Sequence, residues 1–271
     1  MFPAQKSTVV SESSVAIVTG AGSGIGRETA LALAPKVGTV IAVGRRGDKL
    51  LETAVLSDRR IIPLRCNVTM TSDRASLLAM VRKVGRVRYL VHCAGLHLQR
   101  PVAEITAPDW EAVMAVNVTA RLFLTIELIT EFSYGARVLF VGSNSATRAR
   151  VGGAAYSVSQ AASAMLQSCL QAELSPLGFH VGMAVPSPAH TGMIDQQMAV
   201  DAARYPDALE YRRIRDAGGL VSPRAAGQFF SWLLTGVTED EFTRQSWSIR
   251  NQEHHAHWLG DQPLYEAPPR R

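Results

Sequence analysis

Tyr156 and Gln160 lie in the stretch AAYSVSQAAS, residues 154–163, where small residues surround them as at the start of a helix. Side chains four residues apart lie one above the other on one helical face. A phenol held in this way can pass a proton to a substrate, and a lysine at the second position would be the more useful partner. The chain has glutamine there instead. The pair therefore predicts proton chemistry without the nearby cation.

The segment TGAGSGIG, residues 19–26, follows an apolar run and precedes a helical pattern. Gly20, Gly24 and Gly26 permit a tight turn and let a pyrophosphate approach the backbone at a helix N-terminus. Glycine spacing alone is a weak signal, but here it stands at the first strand–helix junction of the chain. The segment therefore predicts nucleotide binding.

The second apolar run ends in VGRRGDKL, with Gly44 followed by Arg45 and Arg46. A fold that binds NAD usually offers a carboxylate to the ribose hydroxyls at this point. Arginine suits a phosphate instead, because its planar guanidinium binds oxyanions in a bidentate manner. The pattern favours NADP(H), and the simpler alternative is a solvated arginine pair with loose selectivity.

Apolar runs alternate with helical patterns along the chain, which indicates a parallel sheet covered by helices on both faces. We predict a single α/β domain over residues 1–271, a Rossmann-type doubly wound parallel sheet of about seven strands. Six strand-like runs lie at 15–20, 39–44, 61–66, 88–95, 136–143 and 179–186, and a seventh at 246–250. Helical patterns lie at 25–34, 72–83, 107–131, 155–175 and 223–235.

Residues 191–219 interrupt this alternation directly after a strand, which places them as a lid over a ligand crevice. An exposed helical excursion is the alternative. Met193, Ile194 and Met198 near the start of this segment suit an apolar ligand.

From about residue 251 we predict a short surface tail. Its HHAH run, residues 254–257, would bind a metal only with further ligands, and no metal site is predicted.

The net charge of +5 does not indicate nucleic-acid binding, because the basic residues are dispersed and no basic–aromatic stripe is present. No uninterrupted apolar run reaches the roughly 18 to 20 residues of a membrane span. The N-terminus lacks a basic start followed by an apolar stretch, and the three cysteines are scattered. We therefore expect a cytoplasmic protein that binds neither membrane nor nucleic acid and acts on a small molecule.

Together with four further motifs, these residues resemble the short-chain dehydrogenase/reductase family over about residues 13–250. TGAGSGIG resembles its Thr-Gly-x-x-x-Gly-x-Gly motif, and Asn67-Val68 its adenine-contacting Asp-Val. HCAG, residues 92–95, takes the place of Asn-Asn-Ala-Gly. Ser143 precedes Tyr156 by the thirteen residues that separate the family's catalytic serine and tyrosine. The segment 186–191 resembles the Pro-Gly segment whose threonine contacts the nicotinamide amide.

The resemblance implies a catalytic set and a cofactor-binding set. The catalytic set is Ser143, Tyr156, Asn117 and Gln160, with Asn117 matching the family's active-site asparagine and supporting a water relay. The residues implied to bind NADP(H) are Gly20, Ser23, Gly24, Ile25, Gly26, Arg45, Arg46, Asn67, Val68, Ala94, Gly95, Tyr156, Gln160, Pro186 and Thr191.

The departures from the family pattern concentrate among the residues of the active site. His92 and Cys93 replace the two asparagines of Asn-Asn-Ala-Gly, Ser187 replaces the glycine of Pro-Gly, and Gln160 replaces the lysine. Tyrosine titrates near pKa 10, so only about one in a thousand is ionised at pH 7. A cation about 4 Å away contributes roughly 4 kcal/mol, or about three pKa units. Gln160 can replace the lysine's hydrogen bond to the ribose but not its charge.

Other groups are candidates to replace that charge. The chain has only four lysines and none in its second half. Arg148 and Arg150 lie on the loop between Ser143 and Tyr156, where either could turn inward or stay in solvent. His97 and His190 lie beside cofactor motifs, as proton shuttles or as packed or solvated residues.

Three functions are consistent with this pattern. The first is an NADPH-dependent carbonyl reductase in which Tyr156 donates the proton, since reduction needs an acid. The second keeps the pocket for dehydration, isomerisation or cyclisation. The third is a non-catalytic nucleotide-binding or interaction protein, against which the retention of Tyr156, Ser143 and Asn117 speaks.

The resemblance also implies a homodimer or homotetramer that pairs through the long helices near 107–131 and 154–175. The second helix carries small residues at helical spacing, which would let another helix approach closely. They are Ala161, Ala164, Ser168 and Ala172. Such residues also pack internally, so this remains an expectation.

Overall fold

A computed structural model describes residues 14–57, 60–244 and 246–268. Its seven strands form one parallel sheet in the order β3-β2-β1-β4-β5-β6-β7, which confirms the predicted doubly wound fold. The order reverses between β1 and β4, where such sheets bind their ligands. The strands are β1 Ser14–Thr19, β2 Thr39–Gly44, β3 Ile61–Arg65, β4 Arg86–His92, β5 Phe132–Val141, β6 His180–Val185 and β7 Ser246–Ser248. The N-terminal segment considered for a leader lies outside the described residues.

Ten α-helices lie in the described part of the chain. They are α1 Gly24–Leu33, α2 Gly47–Val55, α3 Thr71–Val84, α4 Ala107–Met114, α5 Ala120–Leu128, α6 Ala154–Leu174, α7 Gly192–Ala199, α8 Asp207–Asp216, α9 Pro223–Thr235 and α10 Glu239–Arg244. The sequence pattern did not predict α2. This helix buries Leu50 but leaves Leu51 and Val55 exposed, so its apolar residues do not mark a single face.

Each face of the sheet carries its own core, which explains the continuous apolar runs of the strands. Ala16 and Val18 of β1 pack with α1, α2 and α9, whereas Val15 and Ile17 pack with α3, α5 and α6. Successive strand residues point to opposite faces of the sheet, and helices bury both faces here.

The helix predicted over 107–131 is interrupted. A π-helical turn, Ala115–Thr119, separates α4 from α5 and contains the buried Asn117. Single π turns within helices occur often at functional sites. The interruption therefore marks the segment that faces the site described below.

One helical segment, Ala107–Glu131, meets the length and composition of a membrane span, with a mean hydropathy of 1.7. Core helices of soluble proteins meet the same criterion. In this structure Asn117 and Arg121 of the segment are buried toward the sheet, while Phe123 and Ile126 are exposed. The segment thus has one face packed on the domain and one apolar face that is open.

The prediction of a surface tail from residue 251 is wrong for His254, whereas Ala256 and His257 of the HHAH run are exposed as predicted. His254 is buried at 4% exposure and stacks on Phe229 and Trp232 of α9. Its Nδ1 accepts a hydrogen bond from Trp258 Nε1 (2.8 Å), and its Nε2 lies 3.0 Å from the Ser248 carbonyl. Both ring nitrogens are therefore occupied by nearby residues, and Phe229 and Trp232, which are distant in sequence, complete the packed site of this histidine.

Candidate active site

A cavity of about 550 Å³ opens at the carboxyl ends of the central strands. All fifteen residues predicted to bind the cofactor line it, from Gly20 in the first junction to Thr191 before α7, together with Ser143. Asn117 is the one predicted site residue that does not line the cavity. Proximity at one cavity supports the residue set as a site, while each residue's role remains a prediction.

The phosphate end of the cavity is formed by backbone at the N-terminus of α1. Gly20 and Gly24 have positive φ values of 71° and 53°, which non-glycine residues rarely adopt. A Cβ on Gly26 would lie 2.4 Å from the Gly20 carbonyl oxygen. No side chain caps the helix at Ser23, so main-chain N–H groups remain to bind an anion. This cradle fits a pyrophosphate.

Two arginines follow β2 beside this cradle. Arg45 and Arg46 are both exposed and line the cavity, and Arg46 Nη2 donates to Ser23 Oγ at 3.1 Å. Asn67 and the buried Val68 line it beyond β3. The region is positively charged at the position where an NAD-binding fold offers a carboxylate.

The phenol of Tyr156 lies at the other end of the cavity with Ser143 and His97. Burial raises the pKa of Tyr156, while a hydrogen bond with Ser143 and the charges of Arg121 and Arg150 lower it in part. The phenol is therefore protonated at neutral pH. This arrangement holds a neutral acid beside a hydroxyl, as proton donation to an oxygen requires.

The imidazole of His97 packs on the Tyr156 ring with centroids 4.6 Å apart. Desolvation, assisted by the charge of Arg150, lowers the pKa of His97 to about 4. The ring is therefore neutral at pH 7 and contributes a wall above the phenol. His190 does not enter the cavity: its side chain is half exposed and lies 4.0 Å from Asp195.

Asn117 shapes the cavity wall from outside. Its Oδ1 accepts from the Leu96 N–H (2.8 Å), and its Nδ2 donates to the Leu96 carbonyl and to Ser159 Oγ (both 2.9 Å). The side chain is wholly buried and fully engaged. It ties the loop after β4, which carries Gly95 and His97, to helix α6.

Gln160 is buried beside Tyr156, and its Oε1 has no hydrogen-bond partner among the described residues. A buried carbonyl oxygen without a donor is costly, which makes it a natural acceptor for a bound hydroxyl. That position suits the predicted contact with a ribose.

The two arginines considered as replacement cations behave differently. Arg148 is exposed and its guanidinium donates two hydrogen bonds to the Glu210 carboxylate. Arg150 lines the cavity, but its Nη1 lies 3.1 Å from the Asp207 carboxylate and 3.8 Å from that of Glu210. The charge of Arg150 is therefore largely balanced by α8.

A cation missed by the sequence analysis lies on α5. Arg121 is buried at 3% exposure and lines the cavity together with Tyr156 and Gln160. It stands four residues after Asn117, on the same helical face. That spacing was the available signal, since a residue one turn from a site asparagine faces the same site.

Helices α7 and α8 cover the cavity in the predicted lid segment. Met193, Ile194, Gln197 and Tyr211 line it from this side, while Met198 is buried within the segment itself.

The neighbouring Ser187 has a φ of 61°, so serine occupies the left-handed conformation that the family's glycine adopts freely. Among the described residues, no group of three His, Cys, Asp or Glu side chains could hold a metal ion.

A glycine-lined helix N-terminus and a serine–tyrosine pair at one edge of a doubly wound sheet define a dinucleotide-dependent oxidoreductase. The short-chain dehydrogenase family model matches residues 14–201. The chain therefore belongs to the short-chain dehydrogenase/reductase family, whose members bind NAD(P).

Curated relatives include reductases. The chain is 31% identical to the short-chain reductase protein NovJ of Streptomyces niveus, over 72% of this chain and 77% of that protein. It is 28% identical to the 3-ketodihydrosphingosine reductase of Mus musculus, over 76% of this chain and 64% of that protein. These matches show that the family includes reductases.

A solved structure from Beutenbergia cavernae, described as an NAD(P)-dependent gluconate 5-dehydrogenase, holds NADP at low occupancy. It superimposes with a TM-score of 0.76 and 25% identity, covering 87% of this chain and 94% of that one. The similarity supports the same fold and a nicotinamide dinucleotide as the class of cofactor.

Proposed function

We propose that this protein is an NADPH-dependent reductase of a ketone or aldehyde carried by a small, largely apolar molecule. The observation that carries the proposal is that Tyr156, Ser143 and the glycine cradle of α1 open onto one cavity. A proton donor and a dinucleotide-binding surface thus face the same space.

When bound, the nicotinamide cofactor supplies the hydride that goes to the carbonyl carbon. Tyr156 gives its proton to the carbonyl oxygen, and the Ser143 hydroxyl donates a hydrogen bond to that oxygen. Because burial raises the pKa of Tyr156, the phenol holds its proton at pH 7. Alcohol oxidation needs the ionised phenol, so reduction is the favoured direction.

The preference for NADPH rests on Arg45 and Arg46. Both side chains are exposed at the end of β2 and reach the cavity. A guanidinium there binds the ribose phosphate of NADPH and offers NADH no equivalent anion.

The proposal of an apolar substrate is based on the apolar residues that line the cavity. Leu96, Val116, Met193 and Ile194 are apolar residues that line the same cavity as Tyr156. The mouse relative's name describes a reductase of a 3-keto compound, which matches a carbonyl as the reacting group.

The protein pairs as a homodimer or homotetramer through α5 and α6. Phe123, Ile126, Val158 and Met165 are exposed on these helices, between 44% and 66%. Of the small residues of α6, Ala161, Ser168 and Ala172 are exposed and Ala164 half-buried, so a second helix can approach. Light scattering of the purified protein tests the assembly, and a monomer that persists at high concentration would contradict it.

Calorimetry with NADPH and NADH tests the cofactor without a guessed substrate. We expect tight NADPH binding, weak NADH binding, and loss of the difference in Arg45→Ala. A panel of apolar ketones and aldehydes then tests the reaction through loss of NADPH absorbance, with Tyr156→Phe as control. Binding of neither nucleotide would overturn the proposal. Turnover of a substrate without an absorbance change would point to non-redox chemistry at the same cavity.

A further inference from the structure

We propose that Arg121 acts as a positioning residue that supplies, from α5, the positive charge that the family's lysine supplies from α6. The inference deepens the proposed function, because it assigns the group that tunes the proton donor Tyr156. The charge is moved from one helix to its neighbour, and Gln160 keeps only the hydrogen-bonding part of the lysine's role.

The placement of Arg121 is determined by three acceptors. Its Nη1 donates to Ser163 Oγ (2.9 Å) and to the Val141 carbonyl (3.1 Å), and its Nη2 donates to the Ala94 carbonyl (3.4 Å). These acceptors lie on α6, at the end of β5 and after β4. The guanidinium is thus held at the base of the cavity between the two strands that flank the chemistry.

Two parallel contacts join the π-helical turn and α5 to α6 at this point. Asn117 donates to Ser159 Oγ, and Arg121, four residues further, donates to Ser163 Oγ. Gln160 stands between the two serines in sequence. The guanidinium therefore lies along the same stretch of α6 that carries the glutamine in place of lysine.

Arg121 has no carboxylate partner among the described residues, unlike Arg150, which is paired with Asp207. Its neighbours are neutral: Cys93, the buried His92, and the Phe140 ring 5.8 Å from the guanidinium carbon. Burial lowers the pKa of Arg121 to about 10, so the group is charged at pH 7. A buried cation without a counter-ion stabilises an anion that forms nearby.

Tyr156 is the group in which such an anion forms. Around its phenol lie His97 from the loop after β4, Ser143 after β5, Arg150 from the following loop and Tyr211 from α8. His97 is neutral, and Arg150 is balanced by Asp207 and Glu210. Among these described groups Arg121 is the unbalanced charge, and its effect is to lower the pKa of Tyr156.

The test measures ionisation of Tyr156 directly, without cofactor or substrate. The protein is labelled with 3-fluorotyrosine, whose phenol ionises at a lower pH than tyrosine, and the Tyr156 resonance is assigned by its loss in Tyr156→Phe. Fluorine NMR then gives the titration midpoint. We expect Arg121→Met to raise the midpoint by about one pH unit and Arg121→Lys to leave it within a few tenths.

Returning the charge to α6 provides the rescue. Gln160→Lys added to Arg121→Met should restore the midpoint to within a few tenths of the parent value. Arg137→Met is the matched control, because Arg137 is also buried and donates to the carbonyls of Leu233, Leu234 and Val237 on the other face of the sheet. It should lower stability and leave the midpoint unmoved.

An unmoved midpoint in Arg121→Met, or an equal shift in Arg137→Met, would overturn the proposal. If Arg121→Met does not fold, Arg121→Gln keeps hydrogen-bond donors without the charge and is held to the same expectation. A shifted midpoint in a protein that reduces no carbonyl would retain the role of Arg121 and reject the reductase. Carbonyl reduction by the parent protein together with an unmoved midpoint in Arg121→Met would support the reductase and reject the role of Arg121.

Discussion

The two ends of the cavity are formed by different parts of the chain, by main chain where the phosphates would bind and by side chains around Tyr156. At the phosphate end, Gly20, Gly24 and Gly26 bring main chain to the surface, and the family motif is intact. At the end around Tyr156, the chemistry end, partly buried side chains such as His97 and Tyr156 form the site, and their pKa values are shifted by desolvation. A backbone cradle accepts only glycine, whereas a side-chain function can move to a neighbouring element. His92, Cys93 and Gln160 accordingly depart from the family pattern at the chemistry end.

The largest effect is expected from Tyr156→Phe. Loss of the phenolic proton should reduce carbonyl reduction by about 10² to 10⁴-fold, the usual contribution of a general acid. NADPH binding should change by less than about threefold, because the phosphate end is untouched. Steady-state kinetics and calorimetry on the same preparation check both numbers. Equal losses in the two measurements would show that the ends of the cavity are not separable.

The phosphate end is tested by Gly26→Ala. A Cβ there would meet the Gly20 carbonyl at 2.4 Å, so backbone must shift. We expect a loss of about 1 to 3 kcal/mol in unfolding free energy and weaker NADPH binding. Gly192→Ala is the control, since nothing lies within 4 Å of a Cβ at that position. Denaturant unfolding should show Gly192→Ala within about 0.5 kcal/mol of the parent.

Cofactor preference is expected to respond to Arg45. Arg45→Ala should weaken NADPH binding about tenfold, the equivalent of one charge-assisted hydrogen bond, and leave NADH binding unchanged. The same substitution at Arg46 also removes the bond from Nη2 to Ser23 Oγ. Calorimetry with both nucleotides measures the ratio. A parallel loss for NADPH and NADH would indicate general electrostatic attraction in place of phosphate recognition.

His97 makes the chemistry end sensitive to acid. Its pKa is about 4 in the folded protein and near 6.5 in the unfolded chain, so the unfolded chain binds more protons between these values. Stability is therefore complete above pH 6.5 and falls as the pH decreases toward 4. His97→Gln should reduce the loss in unfolding free energy between pH 7 and pH 5 by about 2 kcal/mol. Urea unfolding at both values measures it, and identical losses would refute the burial of this imidazole.

The smallest effect is expected at Ser187. Its φ of 61° strains a residue with a Cβ, and glycine relieves that strain while adding entropy to the unfolded chain. Ser187→Gly should therefore stabilise the protein by about 0.5 kcal/mol, with cofactor binding retained. Thermal unfolding at matched concentration detects the shift. Destabilisation would mean that the serine side chain makes a compensating contact.

Several features followed from local sequence alone. The strands and most helices could be predicted because both sheet faces are buried, which gives long apolar runs, and because glycine marks the first strand–helix junction. The spacing of Ser143 and Tyr156 placed both at one cavity, and every cofactor-binding residue implied by the family motifs lines it. The helix α2 was missed because apolar Leu51 and Val55 are exposed on its outer side.

Tertiary structure alone decided how the chemistry end is assembled. Arg121 reaches the cavity because its hydrogen bonds join three elements, α6 and the ends of β4 and β5. His97 became a neutral wall on Tyr156, and His254 was buried by aromatic residues of α9. Charge and burial at these positions depend on neighbours distant along the chain. A linear pattern determines which residues share a face, and packing determines which of them lose water and meet.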